Sequence, residues 1–125
     1  MTKKDITNIV NVYYDKICKH YGYSKYQESF PYLSIEDSPY SDADEPNLIG
    51  EYCSDENELI VYWKNIKSIE ELVRTLIHEY QHYLQSPAWM TRYYNMGCDY
   101  HTHPYEVIAY AKENEYKLFY ENERI

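Results

Sequence analysis

Cysteine is scarce in this chain and poorly placed for crosslinking. Cys18, Cys53 and Cys98 are an odd number at wide spacings with no Cys-x-x-Cys pair, which fits a reduced intracellular protein better than a secreted disulfide scaffold. Long apolar runs are missing too. No stretch approaches the roughly 20 residues of a membrane-spanning helix, and Asp5, Asn8, Asn11 and Asp15 interrupt what would have to be the apolar core of a signal peptide. A cytoplasmic protein with no membrane partner is expected. Basic residues are also few: 12 Lys and Arg stand against 21 Asp and Glu, a formal net charge of −9. The cations are scattered, whereas binding to a nucleic-acid backbone rests on clusters of them, so no nucleic-acid partner is expected. An acidic surface instead favours solubility and neutral or basic substrates.

Tyrosine is what the chain has in quantity, 18 residues in 125. Each ring is apolar with a polar tip, so it can sit half buried and line a cleft. The length is that of one ordinary domain, so residues 1–125 are read as a single domain with one site.

The hydrophobic pattern divides that domain into helices and short strands. Ile6, Ile9, Val10, Tyr13 and Ile17 recur at helical spacing ahead of Gly22, predicting a first helix from about Lys4 to His20. Residues from Glu28 to Ile35 alternate loosely, and Pro31 points to an edge or a broken strand. The stretch from Asp37 to Pro46 is acidic and lacks the glycine and terminal glutamate of a calcium-binding hand, so it reads as a solvated loop. Ile49 to Cys53 and Glu58 to Trp63 flank Ser54-Asp55-Glu56-Asn57 as a hairpin, and Leu59 to Trp63 is the strongest strand signal in the chain.

Ser68 and Glu71 form a capping box that starts a second helix at Ile69. Val73, Ile77, Tyr80 and Leu84, widened by Leu72, Leu76 and Tyr83, give it a buried stripe, and Pro87 prevents its continuation beyond Ser86. A loop from Pro87 to His103 follows, with room for a short helical turn. Pro104 then opens a third helix to about Glu121, with Val107, Ile108, Ala111 and Leu118 expected on its buried side.

The second helix carries His78-Glu79-Tyr80-Gln81-His82, a His-Glu-x-x-His pattern. Histidines at i and i+4 leave one face a single turn apart, so two neutral imidazole nitrogens can reach one zinc ion. Glu79 lies beside that face. Its carboxylate can take a proton from water attacking a carbonyl and return it to the leaving amine. A catalytic zinc needs a third protein ligand, and Glu106 is the choice: it lies 24 residues after His82, early in the third helix, with the small Ala109 allowing close helix approach. Glu106 would also favour the positive end of its own helix with no metal present. His101 and His103 compete for the ligand role, or line the cleft and donate to a developing oxyanion, or are simply solvated.

These residues, Thr75 through His82 followed by Glu106-Val107-Ile108-Ala109, resemble the gluzincin type of zincin metallopeptidase, and within it minimal single-domain forms and the ImmA/IrrE-like peptidases. The resemblance runs from about Ile49 to Glu121. It implies a small α+β zincin-like domain: a short twisted sheet with an edge strand, packed on an N-terminal helix, an active-site helix and a C-terminal glutamate helix. It further implies that Leu59 to Trp63 is the edge along which an extended peptide or protein substrate pairs, main chain to main chain. Better-known members often place a carboxylate one turn after the glutamate ligand to orient a histidine. Tyr110 stands there in this chain, and a phenol can accept the same hydrogen bond. Two other readings compete with a zinc peptidase: a zinc-containing module that captures an extended segment without cleaving it, and a metal-free interaction protein with a tyrosine contact surface.

Overall fold

Thr2 starts the first helix by accepting a hydrogen bond from the Asp5 amide while Asp5 accepts from the Thr2 amide, and Gly22 ends it at a φ of 78° that disfavours any side chain. This helix, α1, spans Lys3–Tyr21 in a computed structural model that describes residues 2–38, 47–97 and 103–120. Strands β1 (Tyr32–Glu36), β2 (Gly50–Cys53) and β3 (Glu58–Tyr62) follow, then helices α2 (Ile69–Leu84), α3 (Pro87–Asn95) and α4 (Pro104–Lys112). Trp63–Asn65 and Glu113–Leu118 form 3-10 turns. The described residues thus make a mixed α+β fold of four helices and one three-stranded sheet. None of these helices is long and apolar enough to cross a membrane.

The sheet order is β1-β3-β2, with β1 parallel and β2 antiparallel to β3. The hairpin of β2 and β3 forms as expected, but β3 is the central strand and not the edge. Leu59 and Val61 are fully buried, and the strongest strand sequence is the one paired on both sides. Among the described residues, the unpaired edge next to α2 belongs to β2. Its polar Glu51 and its Gly50 suit an edge better than the apolar run of β3 does. β1 is the opposite edge, and Pro31 stands just before it, where its missing amide costs no ladder bond.

Ile6, Val10 and Ile17 of α1, Leu59 and Val61 of β3, and Leu72, Val73, Leu76, Ile77, Tyr80 and Tyr83 of α2 form the core. Buried and half-buried tyrosines bring polar tips into it, and those tips meet the backbone of the α1–β1 connection. Tyr80 donates to the Gly22 carbonyl, Tyr14 to that of Pro31, and Tyr83 to that of Ser29 at 2.7 Å while accepting from the Ser24 amide. The connection's orphan carbonyls are thereby satisfied from inside the core. Cys18 is buried and Cys53 half buried, both as free thiols; Cys98 and most of the acidic loop lie outside the described residues.

Three local expectations are corrected. Ser68 caps α2 through the Glu71 amide at 3.1 Å, but the Glu71 carboxylate accepts from Lys67 rather than closing the box on Ser68. The segment after Pro87 is a nine-residue helix, α3, whose Trp89 amide donates to the Ser86 hydroxyl. Finally, α4 is shorter than expected and buries a different side: Val107, Ile108, Ala111 and Leu118 are exposed, while Tyr105, Glu106 and Ala109 are covered. Helix α4 turns its charged side inward because α2 offers that side its histidines.

Candidate metal centre

Helix α2 has two working faces. Leu72, Val73, Leu76, Ile77, Tyr80 and Tyr83 fasten it into the core, and His78, Glu79 and His82 point the other way. These three bring one potential ligand atom each within 4.8 Å of one another. Helix α4 lays its buried side against them, with the fully buried Ala109 permitting the close approach the sequence implied.

Glu106 then spans both imidazoles. Its Oε2 is 3.2 Å from His78 Nε2 and its Oε1 2.5 Å from His82 Nε2, and the residue is only 2% exposed. Glu79 stands further off, its Oε2 3.9 Å from His78 Nε2. Of the two carboxylates that contend for a metal, Glu106 is therefore the one aimed between the two nitrogens. Tetrahedral zinc ligands at about 2.0–2.1 Å lie about 3.3 Å apart. The His78–Glu106 separation already has that value, and the His82–Glu106 pair is a tight hydrogen bond that has to open by less than about 1 Å. Two imidazole nitrogens and one carboxylate are a donor set that zinc accepts, so the residues fit the ion.

The outer nitrogens are held as well. His78 Nδ1 lies 2.8 Å from Glu113 Oε2, and His82 Nδ1 lies 3.0 Å from Gln85 Oε1, whose amide nitrogen donates onward to the Tyr105 carbonyl on α4. Such partners fix the ring orientation and direct each Nε2 toward Glu106 and the point between the rings. The expected role of Tyr110 passes to Glu113; the Tyr110 ring meets the His78 ring edge-on, with centroids 4.6 Å apart. The signal for Glu113 was present, since residues 106 and 113 are two helical turns apart and share a face. Gln85 gave none beyond its i+3 spacing from His82. His103 is neither solvated nor among the grouped ligands: it is fully buried and caps α4, its Nδ1 accepting from the Tyr105 amide at 3.0 Å. His101 lies outside the described residues.

Proton affinities are strongly displaced here. Burial works against a charged His78, but hydrogen bonds to Glu106 and Glu113 and the nearby charge of Glu79 reverse this and raise its pKa to about 10. Burial likewise opposes a charged Glu106, yet the two histidines hold it down to about 2. Burial dominates at Glu79 and raises it to about 7, against the charges of His82 and His78 and a backbone hydrogen bond from Tyr52. A carboxylate near neutrality is suited to taking and returning a proton.

The edge strand closes one side of the site. A Cβ on Gly50 would lie 3.0 Å from the Ile60 carbonyl oxygen and 3.0 Å from the Thr75 methyl, so glycine lets β2 rest directly on α2. The Tyr62 amide donates to the Ile49 carbonyl at 2.7 Å. By antiparallel alternation, the backbone groups of Gly50 and Tyr52 therefore face outward from the free edge.

Comparison with protein-family models, with curated proteins and with solved structures gives no match to this chain. The likeness to zincins accordingly rests on the motif residues alone.

Proposed function

We propose that this chain is a zinc-dependent peptidase, with His78, His82 and Glu106 as ligands and Glu79 as general base. One observation carries the reading: Glu106, 24 residues beyond the motif, is buried with its two oxygens on the two Nε2 atoms, while the nearer Glu79 oxygen stands 3.9 Å from His78 Nε2. Two solvated helix histidines would not bring a buried carboxylate from another helix onto both rings.

When bound there, zinc would supply Lewis acidity to the carbonyl under attack and to the attacking water. Glu79 takes the proton released by that water and delivers it to the leaving nitrogen. Glu113 and Gln85 keep the imidazoles oriented, and an extended peptide pairs along β2 with the outward backbone groups of Gly50 and the carbonyl of Tyr52, whose amide donates to Glu79. Neutral or basic substrates are favoured by the net charge of −9.

Metal analysis of protein purified without added zinc tests the ligand set. About one zinc per chain is expected in the wild type, with loss in His82→Ala and Glu106→Ala. Unchanged zinc content in both variants would place the ion elsewhere. A protein that holds zinc and binds peptides but cleaves none is the capture module instead.

A further inference from the structure

The last torsion of a histidine side chain has broad wells, so the plane of its ring is set by what packs around it rather than by the bond itself. A hydrogen bond at Nδ1 restrains the ring from one edge, but it tolerates roughly 30° of misdirection before it weakens steeply. His82 has a second restraint, on its face. Tyr105 stacks on it with ring centroids 4.0 Å apart and planes only 7° from parallel. At that separation the rings are in van der Waals contact, and an imidazole that rotates out of plane drives its edge into the phenol ring.

Tyr105 is itself held by its main chain and by its ring. Its amide donates to His103 Nδ1 at 3.0 Å, and its carbonyl accepts from Gln85 Nε2 at 3.1 Å, while Gln85 Oε1 lies 3.0 Å from His82 Nδ1. The residue is only 8% exposed, and His103 is fully buried. Trp89 of α3 backs the pair, its ring centroid 6.3 Å from that of Tyr105 and 6.2 Å from that of His103, which it meets edge-on. His103 and Tyr105 also meet edge-on, at 5.4 Å. Tyr105 directly precedes Glu106, so the first turn of α4 brings a carboxylate to the Nε2 of His82 and a ring to its face. Through Trp89 the stack links α3 to the metal centre.

We propose that Tyr105 is the positioning residue of His82: its ring fixes the plane of the imidazole, so that Nε2 is aimed at the point shared with His78 and Glu106 before an ion arrives. The proposal rests on His82 being a zinc ligand, as in the peptidase reading, and not on any cleavage. Groups that orient a ligating histidine are worth roughly tenfold to a hundredfold in metal affinity. The stack uses the flat ring of Tyr105 and not its hydroxyl. Phenylalanine is therefore expected to serve in its place, and a side chain without a ring is not.

Zinc affinity is measured on the full chain by competition with a chelator, in wild type, Tyr105→Phe and Tyr105→Leu, all of which keep the main-chain partners of Gln85 and His103. Tyr105→Leu is expected to bind zinc at least about tenfold more weakly, and Tyr105→Phe within about threefold of wild type. Tyr105→Met, which fills the space without a flat ring, replaces the leucine variant if circular dichroism shows that one unfolded. A ring that only filled core space would lower the melting temperature of metal-free protein and leave the zinc affinity of the folded variant unchanged. Nuclear Overhauser contacts between the His82 and Tyr105 ring protons in metal-free wild type read the stack directly. Absence of those contacts, a leucine or methionine variant within about threefold of wild type, or a phenylalanine variant as weak as leucine would each overturn the proposal. No zinc binding by wild type, or binding that His82→Ala leaves unchanged, sinks the ligand assignment and the proposal together. Zinc binding that is lost in His82→Ala but indifferent to Tyr105→Leu sinks the proposal alone.

Discussion

Adding zinc to metal-free protein at pH 8 is expected to expel close to one proton per ion bound, and that proton comes from His78. With its pKa raised to about 10, the imidazole is protonated in all but about one molecule in a hundred at pH 8. Glu79, at about 7, has by then mostly lost its proton, and Glu106, at about 2, carries none. Zinc requires the unprotonated ring, so each unit of pH removes about 1.4 kcal/mol of competition and strengthens binding about tenfold. The gain should persist through pH 9 and level off once the pH passes about 10. Calorimetry in buffers of different ionisation enthalpy counts the protons, and competition with a chelator of known affinity gives the slope. No proton release, with zinc affinity flat from pH 8 to 9, would refute the argument. The same proton links pH to folding. A histidine whose pKa is raised in the folded state contributes stability below about pH 6.5 that fades as the pH climbs through 10. Metal-free protein should therefore lose melting temperature over that range.

Gly50→Ala should cost about 1–3 kcal/mol and lower substrate affinity, because the added methyl presses on the Ile60 carbonyl and Thr75 and lifts β2 from α2; chemical denaturation with wild-type stability would contradict this. Ala109→Leu should push α4 from α2 and reduce zinc content although no ligand is touched, as Ala109 is fully buried between them; zinc content at the wild-type level would contradict the close-approach argument. Ile77→Ala should cost about 2–5 kcal/mol while leaving zinc stoichiometry intact, since it opens a cavity on the core face of α2; denaturation together with metal analysis separates the two effects.

What was legible in the sequence is local. The stripe of α1 with Gly22 behind it, the cap and stripe of α2, the hairpin turn and the i, i+4 histidines each depend on residues a few positions apart. The placing of Glu106 beside the histidines could be anticipated from Pro104 and Ala109, which are also local signals. The middle position of β3 was not legible, because it depends on a parallel pairing with β1 across more than 20 residues of chain. The buried side of α4 was misread because hydrophobic periodicity cannot see a face buried through ion pairs: Val107 and Ile108 are exposed so that Glu106 can meet the histidines. Glu113 was missed because its helical register continues from α4 into a 3-10 turn, beyond the one-turn spacing at which Tyr110 stood. Helix α3 was missed although Ser86 and Pro87 give it a recognisable start.

The most direct measurement compares zinc-loaded wild type with Glu79→Gln, reading metal content and peptide cleavage on the same preparations. Glutamine keeps the shape of Glu79 but cannot take the proton, and Glu79 is not one of the proposed ligands. The account predicts about one zinc per chain in both proteins and a fall in cleavage on the order of a hundredfold or more in the variant. Zinc-loaded wild type that cleaves no member of a peptide library, or a variant that cleaves as fast as wild type, would contradict it.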